Sequence, residues 1–287
     1  MNRIAETELI LNEDNSVYHL NLKPGDLATT IITVGDPHRV KEVSKYFDTV
    51  ELKKEHREFV THTGTLNSKT ISVCSTGMGT DNIDIFLNEL DALFNIDLDS
   101  RTPKSSITKL DIIRIGTSGA IQKNVVLDSF IATEYAIGFD TLMHFYQLEN
   151  LQLNIVLKKH LTKNEIKLPF YACEGSIKLI NKFSDYCRKG ITITNPGFYG
   201  PQSRILRLPL IYPHLMDTLS NFKWENKSIT NLEMETAGIY SLSKLLGHNA
   251  ISLNAMIANR ATKQFSKNPA KTIDNLIKTT LEKLCED

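Results

Sequence analysis

Three short apolar segments each run into a glycine-containing turn, a pattern that is typical of anion-binding sites. The turns are Gly35-Asp36-Pro37, Thr76-Gly77-Met78-Gly79 and Gly116-Thr117-Ser118-Gly119. Arginines stand near two of them, at Arg39 and Arg114. Glycine lets backbone N–H groups approach an anion closely, and open α/β sheets bind ligands beyond the carboxyl ends of their strands. The three turns therefore predict a phosphate site.

The common nucleotide-binding motifs are absent from the sequence. The segment Gly77–Asn82 lacks the third glycine of a dinucleotide fingerprint, and no G-x-x-x-x-G-K-[ST] or H-E-x-x-H occurs. Gly116–Gly119 has the wrong spacing for a nucleophile elbow. A small phosphate or a nucleoside is therefore favoured as ligand over a dinucleotide or ATP.

The elements that must position these turns are strands alternating with helices. Apolar, β-branched runs predict strands at Thr29–Val34, Thr70–Ser75, Asp111–Ile115, Ser129–Ile137, Ile191–Thr194 and Ala250–Ala258. Helical spacing recurs over Ile83–Phe94, over Ile177–Cys187 with Gly190 as a cap, over Glu235–Leu246 ending at Gly247, and over Ile273–Leu284.

This order of elements predicts one α/β domain over residues 1–287, with a central sheet covered on both faces. Asn95–Lys109 is polar and contains proline and serine, so we expect a surface loop there. Ile205–Thr230 is harder to assign, and we interpret it as a flap that contains a helix.

Composition narrows the class of protein further. The chain of 287 residues has 33 Lys+Arg against 33 Asp+Glu, which argues against a protein that coats nucleic acid or acidic membranes through bulk charge. Its 4 cysteines lie far apart and predict free thiols in a reducing cytoplasm rather than disulfides or a zinc site. Neither a signal peptide nor a membrane-spanning apolar run is visible.

An ordered set of motifs resembles the nucleoside phosphorylase family that includes uridine phosphorylases and hexameric purine nucleoside phosphorylases. Any one motif is weak evidence, but together they run through most of the chain in the family's order. They are Val34–Val40 with its G-D-P-x-R turn, His56–Phe59, Cys74–Gly79, Ile113–Ala120, Phe198–Arg204, Glu233–Glu235 and Asn259-Arg260. Phe198–Arg204 looks like the base-binding segment of the uridine phosphorylases.

The resemblance implies a three-layer α/β/α fold with a central mixed sheet and a pentosyltransferase activity. In phosphorolysis, a nucleoside and inorganic phosphate give a free base and a pentose 1-phosphate, here in nucleoside salvage or catabolism. It further implies a cytoplasmic homo-oligomer built from dimers, either a dimer or a hexamer. Inorganic phosphate would be a co-substrate, and no cofactor or catalytic metal is expected.

For phosphate, the resemblance assigns Gly35, Arg39, Arg114 and Thr117 of one subunit. Arg57 matches the family arginine that reaches into a neighbouring subunit's site. Arginine suits this role because its guanidinium pairs with phosphate through two hydrogen bonds. A surface salt bridge is the alternative role for any one of these arginines taken alone.

For ribose, the resemblance assigns Met234, Glu235 and His19, the last reaching the 5′-hydroxyl from an adjacent subunit. A carboxylate accepts hydrogen bonds from both hydroxyls of a sugar diol. Glu235 also begins a predicted helix, where an acidic residue is common for capping reasons alone.

For the base, the resemblance assigns Phe198, Gln202, Arg204 and Arg260. Gln202 offers a donor and an acceptor to the N3–H and O2 edge of uracil, and the two arginines can stabilise the departing uracil anion. We expect Arg114, Arg260, Gln202 and Arg204 to carry catalysis. Purine-specific relatives have a late Ser-Asp pair, whereas this chain reads Ile257-Ala258-Asn259-Arg260. The sequence therefore favours a pyrimidine nucleoside, uridine.

The chain departs from the uridine-type pattern at several positions. Ser203 stands where relatives often have glutamate, and Gly200-Pro201 inverts the usual order. Glu58, Met78 and Asn82 correspond to a monovalent-cation site between subunits of some relatives, with Asn82 in place of a serine. The alternatives are a purine phosphorylase, a nucleosidase of the same fold, or a non-catalytic nucleoside-binding protein.

Overall fold

The chain folds around a β-sheet with helices on both faces. A computed structural model describes residues 3–286, so residues 1, 2 and 287 of the predicted domain lie outside the described part. The strands are β1 (Thr30–Val34), β2 (Thr49–His56), β3 (Phe59–Leu66), β4 (Lys69–Ser75), β5 (Ile96–Asp97), β6 (Thr102–Pro103), β7 (Asp111–Ala120), β8 (Phe130–Gly138), β9 (Tyr171–Glu174), β10 (Arg188–Thr194), β11 (Lys223–Trp224), β12 (Lys227–Glu233), β13 (Asn249–Asn259) and β14 (Gln264–Phe265).

The helices connect these strands. They are α1 (Pro37–Ser44), α2 (Thr80–Asn95), α3 (Gln152–Lys163), α4 (Ile177–Lys182), α5 (Leu215–Asn221), α6 (Thr236–Leu246) and α7 (Pro269–Cys285), with short 3₁₀ turns at Leu142–His144 and Gly200–Gln202. Each helix between residues 3 and 286 is either too short or too polar to span a bilayer.

The large sheet is mixed, as expected. Its strand order is β11-β12-β10-β8-β13-β7-β1-β4-β3-β2. The pairs around β7 and β1 are parallel, whereas β8–β13, β3–β4 and β2–β3 are antiparallel. An additional antiparallel pairing of β12 with β7 closes β12, β10, β8, β13 and β7 into a ring.

Side chains that alternate along the central strands form a core on each face of the sheet. Ile31 and Ile112 pack with helices α2 and α6 on one face, and Ile32 and Ile113 pack with α1, α4 and α7 on the other. This arrangement confirms the predicted α/β class with helix layers on both sides of a mixed sheet.

Helix starts follow ordinary capping chemistry. The Asp36 side chain accepts a hydrogen bond from the backbone N–H of His38 at 2.9 Å, and Pro37 occupies the first turn of α1. Asn268 and Pro269 begin α7 in the same way. Helix α1 therefore begins directly after β1 ends, and Gly35 and Arg39 both line the cavity described below.

Two local predictions were wrong. The predicted turn Gly116–Gly119 lies in the second half of β7, because these residues pair with β13 from Asn254 to Ala258. Gly190 is not a helix cap but lies within β10, where a Cβ would come within 2.8 Å of Cγ2 of Thr230. A neighbouring side chain, and not a turn, explains the glycine at two of these positions: Thr230 at Gly190, and Arg114 at Gly116.

Two longer predictions agree with the structure, the second only in part. The polar segment Asn95–Lys109 is a loop that contains only the small β5–β6 hairpin. The segment Ile205–Thr230 contains α5, as expected, but its last part is not a flap, because β11 and the start of β12 pair in the large sheet.

Candidate active site

A cavity of about 720 Å³ opens where β1, β4 and β12 end and the middle of β7 passes beneath. Its walls come from eight separated stretches of the chain. The lining residues are Gly35, Asp36, Pro37, Arg39, Glu58, Gly77, Met78, Asn82, Arg114, Thr117, Ser118, Gly119, Phe198, Gln202, Arg204, Leu232, Glu233, Met234, Glu235, Ile257, Ala258 and Phe265. Nine of the twelve site residues predicted from the sequence are among them: all but His19, Arg57 and Arg260.

Two glycine-containing turns, at Gly35 and at Gly77–Gly79, meet at one end of this cavity. Gly77 and Gly79 have φ of 69° and 91°, values that suit glycine and few other residues. A Cβ at Gly35 would lie 3.4 Å from the carbonyl oxygen of Gly77, so the two turns pack closely. Arg39 and Arg114 add positive charge at the same end.

Arg114 is buried in contact with two carboxylates. Its Nη2 donates to Oε2 of Glu235 at 2.5 Å and lies 3.1 Å from Oε2 of Glu233. Glu233 is anchored in turn, because it accepts from Thr194 Oγ1 at 2.5 Å and from the backbone N–H groups of Glu235 and Thr236. The first N–H groups of α6 therefore hold one carboxylate, and that carboxylate helps to hold Arg114.

Burial sets the ionisation of this cluster. Burial would lower the pKa of Arg114, but Glu233 and Glu235 outweigh it and raise that pKa. The pKa of Glu235 is raised by burial and by Glu233, although Arg114 and the N–H of Gly79 oppose the shift. The pKa of half-buried Arg39 is lowered mainly by desolvation. A cationic pocket with a hydrogen-bonded carboxylate beside it can hold a small anion next to a diol.

The other end of the cavity combines an amide, a guanidinium and an aromatic ring. Gln202 is buried, and its Oε1 accepts from Nη1 of Arg204 at 2.7 Å. The guanidinium carbon of Arg204 lies 3.7 Å from the ring centroid of Phe198, in a cation–π contact. Burial, followed by the nearby charge of Arg260, lowers the pKa of Arg204.

Arg260 lies behind this end rather than in the cavity wall. It donates to the backbone carbonyls of Gln202 and Ser203, the latter at 3.2 Å. Burial lowers the pKa of Arg260. Arg260 therefore supports the backbone of the loop Phe198–Arg204.

His19 and Arg57 lie together on the surface, outside the cavity lining of their own chain. Arg57 is exposed and packs 5.5 Å from the ring centroid of Tyr18. Nδ1 of His19 lies 2.5 Å from Oε1 of Glu89, and Glu89 also accepts from the backbone N–H groups of His19 and Leu20. The Glu89 carboxylate fixes the orientation of the imidazole through Nδ1, and it does not contact Nε2 of the ring.

The predicted cation residues Glu58, Met78 and Asn82 line the cavity side by side. Asn82 and Glu58 both pack against Gly77, where a Cβ would come within 3.0 Å of the Glu58 side chain. Cation binding there stays a prediction. Across residues 3–286, no three His, Cys, Asp or Glu side chains cluster as metal ligands.

Sequence reasoning missed two residues near the site. Phe265 lines the cavity from β14, and its short pairing with Ala258 has no clear sequence signal. Asn254 lies under Arg114, fully buried in β13. The sequence does contain a signal for Asn254, because its amide side chain interrupts the apolar run Ala250–Ala258.

The comparisons with known proteins agree with this geometry. Residues 29–286 match the sequence profile of the Phosphorylase superfamily. A uridine phosphorylase from Thermococcus kodakarensis is 29% identical over 268 residues, which cover 92% of this chain and 85% of that protein. A DeoD-type purine nucleoside phosphorylase from Alkaliphilus metalliredigens is 27% identical over 267 residues, which cover 92% of this chain and 97% of that protein.

A solved structure is also similar. The crystal structure of a Trypanosoma brucei nucleoside phosphorylase, described as showing uridine phosphorylase activity, superposes with a TM-score of 0.85 at 28% sequence identity. The superposition covers 96% of this chain and 99% of that one.

Proposed function

The chain belongs to the phosphorylase superfamily as a nucleoside phosphorylase of the uridine phosphorylase type, a pentosyltransferase, and on that premise we propose that its substrate is uridine. The reaction is uridine plus phosphate to uracil plus ribose 1-phosphate. The C1′–N1 bond breaks, its electron pair leaves with the base, and a phosphate oxygen bonds to C1′. We assign the reaction to nucleoside salvage or catabolism in the cytoplasm. No cofactor other than the phosphate co-substrate is part of this proposal.

The phosphate end supports the first part of the proposal. Gly35, the neighbouring turn at Gly77-Met78, Arg39, Arg114 and Thr117 all line the cavity, and Arg39 lies near enough to Arg114 for their charges to interact. A phosphate bound there is held in position against the sugar, and this fixed geometry lowers the barrier of the reaction. A hydrolase has no need of these paired cations.

The ribose contacts follow from the cluster beside the phosphate. Glu235 is buried and has its carboxylate bonded to Gly79 N at 2.8 Å and to Arg114. The same carboxylate can accept from ribose hydroxyls while Met234 packs on the sugar's apolar face. Arg114 thereby joins the phosphate subsite to the ribose subsite.

The single observation that carries the choice of base is the chemistry at the far end of the cavity. Among the residues that line it there, Gln202 and Arg204 provide polar groups, and Leu232, Ile257, Ala258 and Phe265 are apolar. The carboxylates of the lining contact other parts of the site: Glu233 and Glu235 pair with Arg114, Asp36 caps α1 beside Gly35, and Glu58 packs against Gly77.

A purine leaving group needs a proton at N7, and the residue in the corresponding place does not provide it. Asn259 is buried and directs its amide to the backbone carbonyls of Gln122 and Val125, at 3.0 and 2.7 Å. Gln202 suits the N3–H and O2 edge of uracil, and Arg204 with Arg260 supplies positive charge for the uracil anion.

The proposal includes a homo-oligomer built from dimers, dimeric or hexameric. His19 and Arg57 lie together on one surface and do not line their own cavity, which supports their action in a neighbouring subunit's site. A mixture of Arg57→Ala and Arg114→Ala chains, unfolded and refolded together, tests this. Mixed dimers contain one intact site, so activity should reappear, whereas two inactive variants that stay inactive on mixing contradict the shared site.

The direct test of substrate is a comparison of uridine, thymidine and inosine, each with and without phosphate. We expect phosphate-dependent release of uracil from uridine. Cleavage of inosine with uridine left intact contradicts the base assignment. Base release without phosphate indicates a nucleosidase, and tight uridine binding without turnover indicates a non-catalytic protein.

A further inference from the structure

We propose that Asn254 is a positioning residue that holds the guanidinium of Arg114 in place for phosphate, an inference that rests on the proposed function. Nη1 of Arg114 donates to Oδ1 of Asn254 at 2.9 Å, with Ser252 Oγ at 3.4 Å. Asn254 does not line the cavity and touches no substrate there. It acts through Arg114 alone.

The strand register explains how this contact arises. Arg114 and Gly116 of β7 pair with Ser252 and Asn254 of β13. The Arg114 side chain lies over Gly116, where a Cβ would be 2.5 Å from Cζ. Because Gly116 has no side chain, the guanidinium can cross over it and reach Asn254, the residue paired with Gly116 on β13.

The orientation of the Asn254 amide is set by its other contacts. Its Nδ2 donates to Ser252 Oγ at 3.1 Å and to Thr133 Oγ1 at 3.3 Å, and Asn254 is 0% exposed. The hydroxyl of Thr133 also lies 2.6 Å from that of Thr192. With the N–H₂ group committed, the carbonyl oxygen faces Arg114.

The contact matters because the two sides of the guanidinium are unequal. Nη2 faces two carboxylates, Glu233 and Glu235, while Nη1 faces a neutral oxygen. Without Asn254, the buried Nη1 keeps only the longer contact to Ser252 Oγ at 3.4 Å on the sheet side, and the attraction to the carboxylates is less opposed. Arg114 then shifts within the cavity, and a hydrogen bond to a charged group is lost at a buried site.

The test is Asn254→Leu, which removes the acceptor and nearly keeps the volume. We expect the phosphate KM to rise roughly ten- to a hundred-fold, the loss typical of a hydrogen bond to a buried charge, with the nucleoside KM changed far less. The matched control is Asn154→Leu in α3, where the lost Oδ1 caps a helix by accepting from Leu151 N at 3.1 Å, away from the cavity. This control should lose stability and keep the wild-type phosphate KM.

A binding measurement separates this inference from the proposed function. Inorganic phosphate should raise the unfolding temperature of the wild type and raise it less for Asn254→Leu. An Asn254→Leu protein that folds and keeps the wild-type phosphate KM overturns the role of Asn254. A wild type that neither binds nor consumes phosphate overturns the proposed function instead. If Asn254→Leu does not fold, Asn254→Ala removes the same acceptor without the added apolar bulk and is measured in the same titration.

Discussion

Replacing Gly116 with alanine tests how closely the position of Arg114 is controlled by the strand beneath it. A Cβ at position 116 would overlap Nη1 of Arg114 and lie 2.5 Å from Cζ and 2.9 Å from Nη2. Because non-bonded heavy atoms are most favourable near about 3.5 Å, the guanidinium has to move by at least about 1 Å. The methyl group is rigid, so the arginine must yield.

The expected loss follows from that displacement. Arg114 is bonded to Asn254 on one side and to Glu235 on the other, so a shift of this size breaks or lengthens at least one bond. A misplacement of about 1 Å at a site of this kind can reduce the rate roughly a hundred-fold, which corresponds to about 2.7 kcal/mol of transition-state stabilisation. We therefore expect the kcat/KM for phosphate to fall by about two orders of magnitude.

The fold itself should tolerate the substitution. Gly116 lies in regular strand and is not among the glycines with positive φ, so alanine fits the backbone. Ile115→Val on the same strand is the matched control, since it removes one buried methylene from the core on the opposite face and does not line the cavity. Initial rates at varied phosphate and thermal unfolding are the measurements. A folded Gly116→Ala protein with the wild-type kcat/KM for phosphate would refute the claim that the placement of Arg114 limits the reaction.

Three further predictions follow from burial. The pKa of Glu235 lies above its usual value, so this carboxylate loses its charge earlier than an ordinary glutamate as the pH falls. The affinity for uridine, measured without phosphate, should therefore weaken on acidification in the wild type and be weak and independent of pH in Glu235→Gln. A variant with the same pH profile as the wild type contradicts this role. Burial raises the pKa of the Cys74 thiol to about 12, so a thiol reagent at pH 8 should label partly exposed Cys285 first by mass spectrometry, and equal labelling of Cys74 counts against the packing. Leu253→Ala in β13 should lower the free energy of unfolding by about 2–5 kcal/mol in a denaturant titration, whereas Ile211→Ala, 88% exposed, should change it little; similar losses in both would contradict the core assignment.

Much of the site was predictable because its residues belong to short motifs whose chemistry is local. A glycine turn followed by arginine, as at Gly35 and Arg39, predicts both a place where an anion can approach the backbone and the positive charge that binds it. The strand that bears Arg114 was also predictable from its β-branched run. What failed was the extent of that strand, since pairing with β13 and β12 extends it through Gly116 to Ala120.

The remaining differences come from interactions between distant parts of the chain. Gly190 resembles a helix cap by position alone, and only the proximity of Thr230 across the sheet explains it. Asn254 is a polar residue in an apolar strand, but its partner lies 140 positions earlier in the sequence. Arg260 lies behind Gln202 rather than in the cavity wall, and this placement depends on the conformation of the loop Phe198–Arg204.

The most direct test of the central claim is the fate of phosphate when the enzyme acts on uridine. Phosphorus NMR of a reaction with uridine and inorganic phosphate should show ribose 1-phosphate formed in step with uracil, one phosphate consumed for each base released. No uracil should form when phosphate is omitted. Uracil that appears with free ribose, or at the same rate without phosphate, would contradict phosphorolysis at the Arg39–Arg114 pocket.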